Sequence, residues 1–226
     1  FLSFKRVDGL DFGSAYEMLC TVLAEVCVTH GYLQESARVA PYDKNLLKRI
    51  EAGTATQVEL KNSFVTLTRA MAAHYGKPVI LLLDEYDVPI AKASAKGYYA
   101  EMLDVVKGLM QALKDNDALR FAVVTGCLRI AKESIFTGTN NFVSDTISSS
   151  HLNESFGFTQ ADVDQLLKDA DCQKHAVDIK SWYDGYHFGD LDVYCPWDVM
   201  NYLRDLQRNP KAKPASYWKN TSDNAI

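Results

Sequence analysis

The sequence predicts an α/β fold: a parallel sheet flanked by helices, with a mostly helical C-terminal subdomain. Three stretches carry that prediction. "VILLL", residues 79–83, and "LRFAVVTG", residues 119–126, are too short for core helices and apolar enough for buried strands. Between them, residues 98–114 space their apolar side chains as a helix does. A strand, a helix and a strand in so short a stretch make a βαβ unit, so the strands run parallel with a right-handed crossover.

The other elements follow in order. "FLSFK", residues 1–5, alternates like a short strand. Ser14 and Glu17 have capping-box spacing and open a helix with the stripe Tyr16, Leu19, Cys20, Leu23, Val26 and Cys27, ending near Gly31. Residues 34–55 are more polar and read as a connection with one short helix. A second capping box, Thr56 to Glu59, starts a helix whose stripe is Leu60, Phe64, Leu67, Met71 and Tyr75, stopped by Gly76 and Pro78. Val79 to Leu83 then reads as a strand covered on both faces. The helix after it buries Tyr99, Met102, Leu103, Val106, Leu109 and Leu113. "RIAKESIFTGTNN" reads as a loop with a short helix. Thr159 and Asp162 cap a helix that buries Val163, Leu166 and Leu167. The aromatic, turn-rich "WYDGYHFGDLDVYCPWDVMNYL" ends in a helix entered at Pro196 and carrying Val199, Met200, Leu203 and Leu206. The expected division is a sheet core over 1–156 and a helical subdomain over 157–226.

Composition bounds the function. With 226 residues, 47% hydrophobic and 23% charged, the chain suits a globular domain with a sizeable core. A net charge of -5 argues against a mainly electrostatic grip on nucleic acid. No apolar run approaches the ~20 residues that span a bilayer, and no signal-peptide layout opens the chain, so no membrane partner is expected. The five cysteines include no C-x-x-C pair and read as free thiols of a reducing, cytoplasmic compartment. Phe1 already belongs to an alternating stretch, so a longer parent protein is expected.

Chemistry gathers where "VILLL" meets Asp84, Glu85 and Asp87. An apolar strand ending in Asp-Glu has the form of the Walker B element of phosphate-loop NTPases. There the Asp helps hold magnesium and the Glu activates the attacking water. A divalent cation relieves the mutual repulsion of the acids. The same residues also suit a plain strand followed by an acidic helix start. Thr125, at the end of the neighbouring strand, stands where such ATPases place a γ-phosphate sensor, or where a Thr satisfies local backbone groups. Arg129 could reach a phosphate or form a surface ion pair. No G-x-x-x-x-G-K-[ST] loop is present to cradle the β- and γ-phosphates.

"PVILLLDEYDVPI", "LRFAVVTGCLRIAKESIFTGTNNF", "SFGFTQADV", "WYDGYHFG" and "VYCPWDVMNYL" together resemble the AAA-ATPase-like family of bacterial proteins, over nearly the whole chain. The resemblance implies a phosphate-loop NTPase-like (AAA-like) sheet with a lid-like C-terminal subdomain, and this chain is similar to the part after the phosphate loop. It implies ATP and Mg2+ as cofactors, with Asp84 on the metal, Asp84 and Asp87 on the cofactor, and Glu85, Thr125 and Arg129 as catalytic residues. Cys127-Leu128 stands where the family has Val-Ser, leaving Arg129 in register. Such proteins often carry a C-terminal restriction-endonuclease-like nuclease, so nucleotide, self-association and a nuclease domain of the parent are the partners implied. An isolated chain without the loop is expected to be inactive.

Two other functions remain open from sequence. Absence of the loop suits a non-catalytic protein or nucleic-acid interaction module that keeps the ATPase fold. A metal-dependent nuclease or phosphatase using Asp84, Glu85 and Asp87 directly would need a further ligand and a Lys close by. The aromatic residues Trp182, Tyr183, Tyr186 and Trp197 read as a packed cluster, and His187 as a hydrogen-bonding residue within it.

Overall fold

In the computed structural model, which describes residues 1–127 and 142–220, three parallel strands form one sheet. Strand β2 (Val79–Asp84) lies between β1 (Leu2–Ser3) and β3 (Leu119–Val124). Leu83 pairs with Leu2 on one side and Val124 on the other. The parallel βαβ reading of β2 and β3 is thus observed. The chain divides into two compact units, Phe1–Phe142 and Val143–Ile226. Residues 143–156, placed by composition with the sheet, belong with the second unit. There Ile147 O accepts from Gly189 N at 2.8 Å and Asn153 Nδ2 donates to Phe188 O at 3.1 Å.

The first unit carries seven described helices: α1 (Phe12–Thr29), α2 (Tyr32–Glu35), α3 (Pro41–Glu51), α4 (Gln57–Lys61), α5 (Ser63–Tyr75), α6 (Val88–Lys96) and α7 (Tyr99–Met110). Helix α1 starts earlier than the Ser14–Glu17 spacing implies, because Asp11 caps it reciprocally with Ser14. By length and hydropathy α1 passes for a membrane span. Its stripe of Ala15, Leu19, Val22, Leu23 and Cys27 is instead buried in the core, and Arg6 pairs with Glu25 on its outer face. The Thr56–Glu59 capping box is present, but the helix it opens breaks at Asn62, whose side-chain amide donates to Val58 O at 2.9 Å. Gly76, at φ 66°, ends α5 in the left-handed conformation that glycine adopts without a Cβ clash.

The helices bury their apolar residues in a single cluster with Leu81 and Leu83, so they cover one face of the sheet. On the other face Ile80, Leu82, Phe121 and Val123 remain 48%, 39%, 48% and 45% exposed. The expectation of a strand covered on both faces is therefore corrected. The apolar run is real, but only its odd-numbered side chains meet helices within the described residues.

The loop after β1 is tied to α6 and α7. Asp8 accepts from Lys96 Nζ at 2.6 Å, Lys92 Nζ lies 3.8 Å from its other oxygen, and Tyr98 Oη donates to Gly9 O at 2.8 Å. The Lys96 hydrogen bond holds the Asp8 carboxyl below its ordinary range. A depressed carboxyl stabilises the fold above its unfolded value, near pH 4, and loses that contribution as pH falls through the folded value. The pair is exposed enough to be screened. Asp8→Asn is expected to lower Tm by ~2 °C at pH 7 and to have no effect at pH 2, measured by circular dichroism.

The second unit is less helical than its sequence implies. Helices α8 (Gln160–Asp169), α9 (Ala176–Tyr183) and α10 (Pro196–Arg208) pack with an antiparallel hairpin, β4 (Asp184–Phe188) and β5 (Leu191–Tyr194). Thr159 caps α8 through Asp162, and Pro196 opens α10, as expected. The hairpin turns at Gly189, with φ 61°, where a methyl group would stand 2.6 Å from Ser149 O. The packed aromatic cluster is corrected as well: Tyr183 is buried, while Trp182, Tyr186 and Trp197 are exposed. His187 hydrogen-bonds Asp192 across the hairpin at 2.6 Å. Met200, expected in the buried stripe of α10, is exposed, and Tyr202 takes its place.

Candidate functional site

Parallel strands end together, and the polar residues lie at those ends. Thr125 N donates to Leu83 O at 2.9 Å, Tyr86 N to Thr125 O at 3.1 Å, and Phe4 N to Asp84 O at 2.9 Å. These backbone bonds hold the ends of β1, β2 and β3 in register. On that platform Thr125 Oγ1 donates to Asp84 Oδ1 at 2.6 Å. The hydroxyl fixes the carboxylate in one orientation and leaves Oδ2 for another ligand.

Glu85 follows in a left-handed backbone conformation, φ 54°. An L-residue with a side chain pays about 1–2 kcal/mol for that geometry. The turn is held by Tyr86 N on Thr125 O and by Val88 N on Glu85 O at 3.2 Å. It swings the Glu85 side chain out of the alternation of β2 and keeps it half-buried beside Asp84.

Asp87 occupies the N-cap position of α6 but makes no capping hydrogen bond with its side chain. The carboxylate is buried and packs against Gly126. A methyl at Gly126 would overlap Asp87 Oδ1 and stand 2.8 Å from Tyr86 ring carbons. The turn after β3 and the turn after β2 therefore interlock through Gly126, a contact whose only trace in the sequence is a Gly two residues past a strand. Arg129, Asn140 and Asn141 lie outside the described residues.

The structure thus brings Asp84, Glu85, Asp87 and Thr125 to one edge of the sheet. Among the described residues no group of three or more His, Cys, Asp or Glu side chains is arranged to hold a metal by itself. Magnesium that arrives with phosphate oxygens and its own waters needs only one or two carboxylates, which Asp84 and Glu85 can provide. The residues fit a metal-nucleotide complex better than a free-standing metal cage.

Residues 4–136 match the AAA-ATPase-like family, described as "Predicted AAA-ATPase". The chain belongs to that family. The AAA-ATPase-like match includes Asp84, Glu85, Asp87, Thr125 and Arg129, and the hairpin unit lies beyond it. The chain is also 32% identical, over 168 residues, to "Uncharacterized protein in vnfD 5'region" from Azotobacter chroococcum mcd 1. That similarity covers 74% of this AAA-ATPase-like chain and 31% of the relative, so the chain spans about a third of the relative's length. No solved structure matches it.

Proposed function

We propose that this chain supplies the acidic half of a magnesium-dependent ATP-hydrolysing site on a phosphate-loop NTPase-like sheet. The observation that carries the reading is the Thr125–Asp84 hydrogen bond at 2.6 Å, which joins the ends of two parallel strands beside a strained Glu85. Membership of a predicted AAA-ATPase family supports it.

Each residue then has a task. Asp84, oriented by Thr125, would hold the magnesium that accompanies the nucleotide. Bound there, the cation would supply charge neutralisation at the phosphate oxygens. Glu85 orients a water for in-line attack on the γ-phosphate and accepts its proton. Thr125 couples the Asp84 carboxylate to the neighbouring strand and places a hydroxyl within reach of the γ-phosphate. Asp87 holds the Asp84–Glu85 turn against Gly126, and Arg129 is assigned to phosphate charge. The β- and γ-phosphate cradle has to come from residues outside 1–226, so this chain alone binds ATP weakly.

The test uses a parent chain that contains a G-K-[ST] loop. Magnesium-dependent ATP hydrolysis is expected, and Asp84→Asn is expected to raise the magnesium concentration needed for half-maximal rate by about 10-fold or more. An unchanged magnesium dependence in Asp84→Asn removes Asp84 from the site. A parent without ATPase activity favours the interaction-module reading.

A further inference from the structure

The charge of the chain is not shared between its two units. Residues 1–142 carry sixteen acids and sixteen Lys or Arg, whereas residues 143–226 carry thirteen acids and eight. The whole net charge of -5 therefore belongs to the second unit. Within that unit the stretches 143–167 and 181–203, which include the loop before α8 and the β4–β5 hairpin, hold eight acids and no Lys or Arg. The carboxylates beside the hairpin take their hydrogen bonds from amide and imidazole groups. Asp190 Oδ1 accepts from Asn153 Nδ2 at 2.7 Å, His187 Nδ1 lies 2.6 Å from Asp192 Oδ1, and His151 Nδ1 lies 2.9 Å from Asp145 Oδ2. Among the described residues none of these three acids is ion-paired with a Lys or Arg.

The same end of the unit leaves apolar side chains in water. Ile147, Leu152 and Phe156 are 68%, 50% and 62% exposed, and Tyr186 is 45% exposed. The loop that carries the first three is fastened to the hairpin that carries the fourth. Gly189 N donates to Ile147 O at 2.8 Å, Asn153 Nδ2 donates to Phe188 O at 3.1 Å, and the Tyr186 and Phe188 rings lie 5.9 Å apart. Exposed apolar side chains gathered in this way and rimmed by polar groups mark interaction surfaces.

Charge selects the occupant. A nucleic acid brings phosphates to a surface that offers them no Lys or Arg. A second copy docked isologously brings the same acids face to face. A segment of another protein rich in Arg and Lys meets both features of the surface. Its aliphatic stems cover Ile147, Leu152 and Phe156, its cations meet Glu154, Asp190 and Asp192, and a guanidinium stacks on Tyr186.

We infer that the hairpin end of the second unit, with Tyr186 and the loop side chains Leu152 and Phe156 between Glu154 and Asp190, is the docking surface for an Arg- and Lys-rich segment of a partner protein. The surface lies outside the family match at 4–136, and the inference does not depend on the ATPase reading.

The experiment titrates residues 1–226 into a fluorescein-labelled Arg-Ala repeat peptide and follows anisotropy, with a Glu-Ala repeat peptide and oligothymidine as comparison ligands. Only the Arg-Ala peptide is expected to bind, with Kd rising ~10-fold or more between roughly 50 and 300 mM salt. Glu154→Gln with Asp190→Asn is expected to raise Kd ~10-fold, and Tyr186→Ser ~3-fold. Asp115→Asn with Asp117→Asn removes the same charge from exposed positions of the first unit and is expected to change Kd by less than ~2-fold. Amide NMR signals of the unsubstituted chain give a measure that no misfolded variant affects. The peptide is expected to shift those of Leu152–Glu154 and Tyr186–Asp192. Absence of binding, shifts confined to other residues, or equal weakening by the two pairs of charge substitutions overturns the inference. Tighter binding of oligothymidine overturns it in favour of a nucleic acid. A concentration-dependent dimer broken by Glu154→Gln with Asp190→Asn overturns it as well, since a second copy is then the occupant.

Discussion

Glu85→Gln is expected to lower ATP turnover in a loop-containing parent by ~10²–10⁴-fold while nucleotide affinity stays within a few-fold. The amide keeps the size and most of the hydrogen bonding of the carboxylate but cannot accept the proton of the attacking water. Glu85→Gly removes the same group and is expected to abolish turnover equally, with the opposite effect on stability. Glycine adopts φ 54° without the Cβ penalty, so unfolding should cost ~1 kcal/mol more. The two variants together separate chemistry from architecture. Single-turnover kinetics and urea unfolding on both provide the test. A Glu85→Gln protein that hydrolyses ATP at the parental rate removes Glu85 from the mechanism. A Glu85→Gly protein that is less stable shows instead that the Glu85 side chain supports the turn.

The strand-end acids were legible because a strand is a short-range object. Six residues of "VILLLD" suffice to show a strand, and parallel pairing then dictates that Asp84 and Thr125 end side by side. The strain at Glu85 was not legible. "DEYD" contains no Gly or Asn to announce a left-handed residue, and the conformation is imposed by bonds from Tyr86 to a distant strand. The bare face was hidden for a related reason. Apolar residues at every position of 79–83 report that both faces prefer burial, and they do not say that the cover lies within the same 226 residues.

The second unit shows the converse. "FGDL" carries a two-residue Gly-containing turn between alternating residues, which is a hairpin signal. Its aromatic richness suggests a packed cluster, yet on a two-stranded hairpin both faces of β4 stay largely open, so Tyr186 is exposed while Tyr183, on α9, is buried. The misread connection at 34–55 has yet another cause. Helix α3 is polar in composition because Asn45, Lys48 and Glu51 face solvent and one of its buried residues is itself an acid.

That acid underlies the second large expected effect. Asp43, 3% exposed, is gripped at both oxygens by Arg69 of α5, with Nε 2.9 Å from Oδ2 and Nη2 on Oδ1. The fork fastens α3 to α5 beside Leu46, Leu47 and Ile50, which no run of apolar residues in α3 would have suggested. Arg69→Met keeps the aliphatic stem but leaves a buried carboxylate without its cation, at an expected loss of ~3 kcal/mol in urea unfolding at pH 7. Half of the Arg69 side chain faces solvent, so water reaches the vacated site and holds the loss to the lower part of the range for buried pairs. Adding Asp43→Leu to Arg69→Met removes the stranded charge and should recover most of the loss, because an apolar pair of similar volume suits the same contact. A double variant as unstable as Arg69→Met shows that the α3–α5 contact needs the geometry of the fork itself, beyond neutralisation of its charge.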